Sequence, residues 1–348
     1  MFGGTPPGWE QPGIRKALER LWPHLQGAPR LAGRHVLLAG ATGFFGSWLL
    51  ALFDGLAGNG IALEVTALSR DPEAFLRRAP HYRQRPWLHW IKGDVRQVAF
   101  APTARFDYLI QAATDTAAAA QADGLQLFDT ILEGTRTLLE ALAPRGLHRV
   151  LLVGSGAQYG TPAALLPIAE NHTGACDSRL PASAYGEAKR AQETLAALLG
   201  LRHGFEVVFA RCFAFVGPGL RLDGHFAIGN LVRDALWREA LVLNSAGQAV
   251  RSYLYAADLA VWLLELLSRG EAGQAYNVGS DRAVTIAELA QCVGARLAPE
   301  KPVRLGEGGV PSYYVPDIAR ARGLGLDVWT SLEQAIEDTA CWSALVQP

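Results

Sequence analysis

The sequence predicts an α/β fold in which a doubly wound parallel sheet is followed by a smaller C-terminal α/β lobe. Short apolar runs bounded by glycine, such as "HVLLAG", are typical of buried parallel strands. Helical segments separate these runs one by one along the chain. Because strands that alternate with helices form right-handed βαβ units, the pattern favours a parallel sheet covered by helices on both faces.

Six strands and three long helices are expected in the sheet domain. The predicted strands are "HVLLAG", "ALEVTALSR", "WLHWIKGDV", "FDYLIQAA", "HRVLLVGSG" and "FEVVFARC". The predicted helices are "GSWLLALFDGLAG", "FDTILEGTRTLLEALAPRG" and "AYGEAKRAQETLAALLGLRHG". Another helix, over residues 14–26, is predicted because Ile14, Leu18 and Leu21 recur near helical spacing.

The alternation loosens after about residue 212, where the smaller lobe is expected to begin. The stretch "FAFVGPGLRLDGHFAIGN" is rich in glycine and should start irregularly, and the strands "ALVLNS" and "AYNVGS" follow. We therefore divide the chain into an N-terminal helical extension (1–33), a sheet domain (34–211) with a return segment near 250–278, and a lobe built mainly from 212–348. In such folds a ligand binds in the crevice at the carboxyl ends of the strands, which this lobe would cover.

Composition excludes several classes of protein. Half of the 348 residues are hydrophobic and the formal net charge is −1, so nothing favours nucleic acid or an anionic membrane as a partner. The first 33 residues contain no apolar signal-peptide core, and no stretch is apolar over the roughly 20 residues of a membrane span. The four cysteines are scattered, which predicts neither a metal site nor a disulfide framework. We expect a cytoplasmic protein with reduced thiols.

The turn after the first strand, "GATGFFG", is typical of a Rossmann-type dinucleotide-binding loop. Gly40 would allow the tight turn, Gly43 would let the backbone approach a pyrophosphate, and Gly46 would let helix and strand pack closely. The first amides of the following helix would bind the phosphates. The cofactor loop is completed by Thr42, Phe44 and Phe45.

The end of the second strand, "ALSRDP", bears on the choice of cofactor. An acidic residue there would bind the ribose 2′-hydroxyl of NAD, but this chain has Ser69 followed by Arg70. Arginine suits a 2′-phosphate, so NADP is slightly favoured, although an exposed arginine at a strand end is the plainer explanation. In "KGDV", Asp94 is expected to accept from the adenine amino group, or to cap a turn, and Val95 lies beside it.

The stretch "ASAYGEAKR" places Tyr185 one helical turn before Lys189, in a chain with only four lysines. Ser155 ends the fifth strand, at the expected crevice. A nearby ammonium favours phenolate, so we expect Lys189 to lower the pKa of Tyr185. Tyr185 would then exchange a proton with an alcohol while a nicotinamide takes its hydride, and Ser155 would hydrogen-bond the reacting oxygen.

The sequence resembles the extended short-chain dehydrogenases/reductases, in the NAD-dependent epimerase/dehydratase group acting on nucleotide sugars, over about residues 34–342. The matching pieces are "GATGFFG", "GDV", "LIQAAT", "GSGAQYG", "YGEAK", "FVGPG", "VRSYLYAADLA" and "AYNVGS". The resemblance implies that Ser155, Tyr185 and Lys189 are the catalytic triad. It places Ala112 and Ala113 near the cofactor. The same resemblance implies that Arg251 binds the substrate diphosphate, and that Asp258 is structural.

The chain departs from this family at the substrate side. Gly156 and Ala157 stand where 4,6-dehydratases carry an Asp-Glu pair, so the usual acid and base for water elimination are missing. Ala214 replaces an asparagine expected to contact substrate, and Ile131 replaces another family asparagine. Asp115 falls where some relatives place an acidic residue, either as a spare base or as a helix cap. The remaining candidates near the substrate are Gln158, Ala157 and, more weakly, His225.

These inferences favour an NAD(P)-dependent enzyme that oxidises or reduces a carbon of a nucleotide-diphosphate sugar. A 4-epimerase would retain its cofactor, whereas a 4-ketoreductase would consume NADPH. A 4,6-dehydratase-like enzyme using Asp115 is an alternative. A non-catalytic NADP-sensing or scaffold protein is another, which an intact Ser–Tyr–Lys set disfavours.

A homodimer is expected from the helices near residues 124–143 and 184–200, which are apolar on more than one stripe. A closed two-fold interface would cover the second stripe. The side chains expected on the outer faces are Leu125, Phe128, Leu132, Leu139, Ala188 and Leu195.

Overall fold

The computed structural model describes residues 5–114, 123–161, 165–224 and 226–346. Its strands are β1 (Arg34–Ala39), β2 (Leu63–Ser69), β3 (Leu88–Lys92), β4 (Tyr108–Gln111), β5 (Arg149–Ser155), β6 (Glu206–Cys212), β7 (Phe215–Val216), β8 (Leu241–Leu243), β9 (Val250–Arg251), β10 (Leu254–Tyr255), β11 (Ala275–Val278), β12 (Val284–Thr285), β13 (Val303–Leu305) and β14 (Tyr313–Tyr314). Its helices are α1 (Pro12–Arg20), α2 (Phe44–Gly58), α3 (Pro72–Arg78), α4 (Gly124–Leu142), α5 (Ala184–His203), α6 (Ala227–Trp237), α7 (Ala256–Arg269), α8 (Ile286–Leu297), α9 (Ala319–Gly323) and α10 (Leu332–Val346).

Seven strands form one parallel sheet in the order β11-β6-β5-β4-β1-β2-β3. The order reverses between β1 and β4, where Ala39 pairs with Gln111 on one side and Leu68 on the other. The predicted doubly wound sheet is therefore confirmed. The crevice at this switch point, beyond the carboxyl ends of the strands, is where such a fold binds its ligand.

Apolar side chains are buried on both faces of the sheet, as a doubly wound fold requires. On one face α2 packs against α7, and Trp48 and Trp262 are fully buried there. On the other face α4 packs against α5, above a cluster that includes Leu138 and Leu199. The helices on the two faces hold the sheet in place, including the carboxyl ends of its strands, where the candidate site lies.

The chain leaves the sheet after β6, builds the C-terminal lobe and returns with α7 and β11. The lobe contains three small sheets, β10-β7, β12-β9-β14 and β13-β8, together with α6, α8 and α10. Asp258, at the start of α7, accepts hydrogen bonds from the amides of Trp329 and Thr330 and from the Thr330 hydroxyl. It thus ties the sheet domain to the segment before α10, in the structural role expected for it.

The N-terminal extension packs on the sheet domain. Leu18 and Leu21 are buried in the same core as α2 and α7. The Gly27 amide donates to Glu265 at 2.7 Å, and Arg20 donates to Thr330 at 2.8 Å. Within the described part of the chain, no helix combines the length and apolarity that crossing a bilayer requires.

Candidate active site

The glycine loop has the shape that a dinucleotide requires. Gly40 has φ +85°, and a Cβ built there would lie 2.7 Å from the Ala112 carbonyl oxygen. A Cβ at Gly46 would overlap the backbone of Gly40 and Ala41, so both glycines are needed for the chain's own packing. At Gly43 a Cβ would meet only the Gly40 oxygen, at 3.4 Å. The protein therefore leaves this side of the loop open for a pyrophosphate to approach the backbone.

Helix α2 begins at Phe44, directly after the open glycine, and the amides of its first turn lack intrahelical acceptors. These amides, from Phe44 to Gly46, fit the phosphates of a nicotinamide dinucleotide. The Phe45 ring packs edge-on against Phe215 of β7, with 5.0 Å between the ring centroids. The cofactor contact expected of Phe45 is therefore its amide rather than its ring.

The ribose end of the crevice lies at the end of β2. Thr42 Oγ1 and Ser69 Oγ are 3.1 Å apart, and Ser69 is buried. Arg70 is exposed, and its charge is one of the influences that lower the pKa of Asp94. The largest influence is hydrogen bonding from Arg96, whose side chain donates to both Asp94 oxygens at 2.9 and 3.0 Å. Most of the accepting capacity of Asp94 is thus used before any adenine is bound.

The remaining predicted cofactor residues line the same edge. The Ala112 amide donates to the Ala39 carbonyl at 3.1 Å, which holds the end of β4 beside the glycine loop. Ala113 follows with its amide next to Gly40. Val95 is buried against Gly134 of α4, so it shapes the wall beneath the site.

Lys189 is deeply buried on α5, with 2% of its surface exposed. Its ammonium donates to Thr114 Oγ1 at 2.8 Å, to the Val153 carbonyl at 2.8 Å and to Gln192 Oε1 at 3.2 Å. Burial lowers the pKa of Lys189 to about 8. An ammonium has three donors, and all three have protein acceptors here.

None of those acceptors was predicted from the sequence. Thr114 ends the quoted "LIQAAT" stretch, and Gln192 lies three residues after Lys189 on the same face of α5. Gln192 in turn donates to Thr135 Oγ1 at 2.6 Å, and Gln111 donates to the same oxygen at 3.3 Å. This polar network fixes the lysine, and helical spacing alone would have indicated Gln192.

The structure brings Tyr185 and Ser155 together. Burial raises the pKa of Tyr185, and hydrogen bonding with the nearby Ser155 is a smaller, opposing influence. The expectation that Lys189 lowers it is wrong for the protein alone, because the ammonium is held by Thr114, Val153 and Gln192. Tyr185 is therefore protonated at neutral pH, placed as a proton donor beside a serine that can hold the reacting oxygen.

The structure describes four further residues predicted to contact substrate. Arg251, on β9, donates to the Ser312 hydroxyl through both terminal nitrogens at 3.1 Å. The Ala157 amide donates to Ser155 Oγ at 3.1 Å. Gln158 is buried in the turn after β5, and its Oε1 has no hydrogen-bond partner among the described residues. Ala214 is half-buried, and its carbonyl accepts from the Leu254 amide at 3.0 Å.

Two sequence candidates lie outside the described residues, Asp115 and His225. The spare base that Asp115 was expected to supply for a dehydratase therefore stays a prediction.

Two aromatic residues in the site were missed. A Cβ added at Gly156 would lie 2.7 Å from the Tyr314 Oη and 2.8 Å from the Phe213 ring. The two rings pack on each other at 4.6 Å between centroids. They fill the space into which a side chain at 156 would extend, so the position of the first dehydratase carboxylate is closed. Nothing in the sequence links Tyr314 to Ser155, because 158 residues of chain separate them.

The chain is similar to known proteins along most of its length. Residues 36–279 match the family model described as NAD dependent epimerase/dehydratase family. UDP-glucuronic acid decarboxylase 6 of Arabidopsis thaliana is 27% identical over 289 residues, which cover 82% of either chain. UDP-glucose 4-epimerase of Lacticaseibacillus casei is 26% identical over 263 residues, covering 69% of this chain and 78% of that protein. The structure of UDP-glucose 4-epimerase of Thermotoga maritima with UDP-glucose superimposes with a TM-score of 0.76 at 19% identity, covering 89% of this chain and 99% of that one.

Proposed function

The chain belongs to the NAD dependent epimerase/dehydratase family, and from that premise we propose that it oxidises C4 of a nucleotide-diphosphate sugar and returns the hydride to the opposite face, giving the C4 epimer. The observation that supports this proposal is the placement of Tyr185 on α5 and Ser155 at the end of β5, with the Lys189 ammonium bonded to the Val153 carbonyl of β5, in the sheet that also bears the open glycine loop. A non-catalytic sensor would not require this set.

Each protein group has one task in the proposed reaction. Tyr185 exchanges a proton with the C4 oxygen, and Ser155 hydrogen-bonds that oxygen. Lys189, one helical turn after Tyr185, anchors the polar network behind the site through Thr114, Val153 and Gln192. The amides from Phe44 to Gly46 would hold the phosphates of a nicotinamide dinucleotide, which would supply the hydride chemistry at C4 when bound.

Epimerisation is favoured over elimination because of the residues that follow Ser155. Gly156 and Ala157 carry no acid or base, and the Phe213 and Tyr314 side chains occupy the adjoining space. Decarboxylation starts from the same C4 oxidation. It is the second candidate, because a UDP-glucuronic acid decarboxylase matches 82% of this chain.

The enzyme is proposed to recognise its substrate through the nucleotide diphosphate, since Arg251 presents a guanidinium in the lobe beside Tyr314.

The test is to incubate the protein with UDP-glucose, UDP-glucuronate and dTDP-glucose and to follow the products by NMR. We expect a C4 epimer without net change in cofactor. Carbon dioxide from UDP-glucuronate alone would favour the second candidate. A 4-keto-6-deoxy product, or stoichiometric NADPH consumption, would contradict epimerisation.

Cofactor preference should depend on Arg70. We propose that NADP(H) binds tighter than NAD(H), because the exposed guanidinium at the end of β2 can pair with a 2′-phosphate. Losing a charge-assisted hydrogen bond costs roughly 1.5–3 kcal/mol, so Arg70→Ala should weaken NADP(H) by about 10- to 100-fold and spare NAD(H). Titration of both cofactors into wild type, Arg70→Ala and the control Arg77→Ala measures this. Equal affinities for the two cofactors in wild type would contradict the proposal.

A homodimer through α4 and α5 is also proposed, with one revision of the surface expected from sequence. Leu139 and Ala188 are fully buried within the protomer, so they cannot belong to an interface. Leu125 is 73% exposed, and Phe128, Leu132 and Leu195 are half-buried, which leaves an apolar stripe for a two-fold partner.

Light scattering at micromolar concentration should give twice the monomer mass. Leu125→Glu should shift the protein to monomer, whereas Leu345→Glu, on α10, should not. A monomeric wild type would disprove the dimer.

A further inference from the structure

The N-terminal extension forms part of a cavity beside the glycine loop. This cavity measures about 290 Å³, and residues 42–44 of the loop line it. Residues 219–223 of the C-terminal lobe and residues 5–7 of the extension line it as well. Sites for whole ligands usually measure about 300–1,000 Å³, so this cavity suits one part of a dinucleotide. The pyrophosphate is the part expected there, because Gly43 leaves its backbone open to it.

The side chains around the cavity suit an anion. Arg78, Arg221 and Arg233 all line it. Arg221 pairs with Asp223 at 3.1 Å, and Arg233 pairs with Asp234 at 2.8 Å. Guanidinium groups bind phosphate oxygens through paired hydrogen bonds, so the cavity wall agrees with the phosphates expected from the glycine loop.

Residues 5–11, which we call the N-terminal strap, reach from this cavity to the start of α1. Pro6 and Pro7 are buried, and because proline has no amide hydrogen, neither leaves a donor unpaired there. A Cβ added at Gly219 would lie 2.9 Å from Pro7 Cδ and 3.8 Å from the Phe44 ring. The strap, the lobe and the first residue of α2 therefore meet at the cavity.

Two side chains of the strap fasten it to the sheet domain. The Trp9 ring packs on α2 at Gly55, where an added Cβ would overlap it. Trp9 also packs on Trp22, with 5.8 Å between the ring centroids. The Glu10 carboxylate lies 2.9 Å from His81 Nε2, beyond the end of α3. These contacts hold the strap across the side of the cavity that faces α2.

A third side chain fixes the shape of the strap. Gln11 Nε2 donates to the Pro6 carbonyl at 3.2 Å, and Gln11 Oε1 accepts from the Gly8 amide at 3.3 Å. The two prolines restrict the backbone further, since each fixes its own φ. A segment ordered in this way loses little entropy when it closes over a ligand.

We propose that the N-terminal strap retains the cofactor: together with residues 219–223 of the lobe it closes the cavity that takes the dinucleotide phosphates, and so slows cofactor release. Opening this side requires Pro7 to leave Gly219 and Trp9 to leave α2. The inference rests on the proposed function in one respect, because a C4 epimerase uses the same cofactor molecule in every turnover and gains from slow release.

The variant Trp9→Ala removes the ring that fastens the strap to α2. We expect the dissociation rate of NADH and NADPH to rise about tenfold, with the association rate changed less than about threefold, because loss of a retaining contact acts mainly on dissociation. Stopped-flow measurement of nicotinamide fluorescence, after a chase with excess oxidised cofactor, gives this rate. Trp329→Ala is the matched control, since Trp329 stacks on His24 at the other end of the extension, 4.3 Å between ring centroids.

A milder variant guards against loss of folding. Gln11→Ala leaves the packed rings in place and removes only the two hydrogen bonds of the strap, so dissociation should rise by about threefold. Wild-type dissociation rates in a folded Gln11→Ala and in Trp9→Ala would overturn the proposal. Slower release or tighter binding in either variant would also overturn it, because the strap would then obstruct the cofactor.

Wild-type protein provides an independent test through hydrogen exchange. If the strap stabilises bound cofactor, then bound cofactor must stabilise the strap by the same free energy. The amides of residues 8–11 should therefore exchange severalfold more slowly with saturating NADH or NADPH, while those of α8 should not change. Equal exchange of residues 8–11 with and without cofactor would contradict the proposal.

Neither measurement requires a substrate, so the outcomes separate this proposal from the proposed function. Cofactor release that depends on Trp9, in a protein inactive on every nucleotide sugar, would support the strap and contradict only C4 epimerisation. Normal epimerisation, with a release rate that is the same in wild type, Trp9→Ala and Gln11→Ala, would contradict only the strap.

Discussion

Replacing Tyr185 with phenylalanine should lower kcat by about 100- to 10,000-fold while cofactor affinity stays close to that of wild type. In the proposed reaction the phenol oxygen exchanges a proton with the substrate, and its raised pKa keeps it protonated at neutral pH. Phenylalanine keeps the ring that packs between α4 and α5 against Leu127, Ile131 and Ala188. The variant should therefore fold and bind cofactor normally.

The measurement is steady-state turnover of the nucleotide sugar, together with cofactor titration and the thermal midpoint of each protein. Tyr313→Phe, on β14 of the lobe, serves as the control for loss of a tyrosine hydroxyl at another position. If Tyr185→Phe turned over substrate within a factor of about three of wild type, Tyr185 would have no part in proton transfer. A large loss of both activity and cofactor affinity would instead indicate that the variant disrupts the site.

Local patterns predicted the sheet and the glycine loop well, because both depend on neighbours in sequence. The strand "HVLLAG" and the turn after it form one continuous unit, and Gly40 and Gly46 are required by contacts within a few residues of themselves or with the adjacent strand end. The spacing of Lys189 from Tyr185 is likewise local, and it predicted that both residues lie on one helix. Features of this kind can be read from a single sequence, since their physical cause lies within one βα unit.

Tertiary contacts explain what could not be predicted. Tyr314 reaches Gly156 only because β14 pairs with β9 in the lobe, and no local spacing encodes that pairing. The raised pKa of Tyr185 has a similar origin: the sequence indicates a nearby ammonium, but burial and the acceptors that engage Lys189 are set by the packing of α5 on the sheet. The same packing buried Leu139 and Ala188, which helical spacing alone placed on an outer face.

The free energy of unfolding should depend on pH in a way that reveals the buried ammonium of Lys189. The pKa of Lys189 is lowered to about 8 in the folded protein by burial, from an ordinary value near 10.5 in the unfolded chain. Between these two values the unfolded chain binds more protons than the folded protein, so the free energy of unfolding rises with pH across this window. Below pH 8 both states carry the charge, and the folded protein bears the full cost of burying it.

The variant Lys189→Met removes the titrating group, and the comparison with wild type isolates its contribution. Between pH 7.5 and 9.5 the free energy of unfolding of wild type should rise by about 2 kcal/mol relative to Lys189→Met, because each unit of pKa difference corresponds to about 1.36 kcal/mol. Chemical denaturation at the two pH values measures the change, and Lys92→Met, at an exposed lysine, should show no such rise. The other titrating groups are shared by both proteins and cancel in the difference.

A difference between wild type and Lys189→Met that stays constant over this range would mean that the Lys189 pKa is not lowered. The hydrogen bonds to Thr114, Val153 and Gln192 would then compensate fully for burial of the charge.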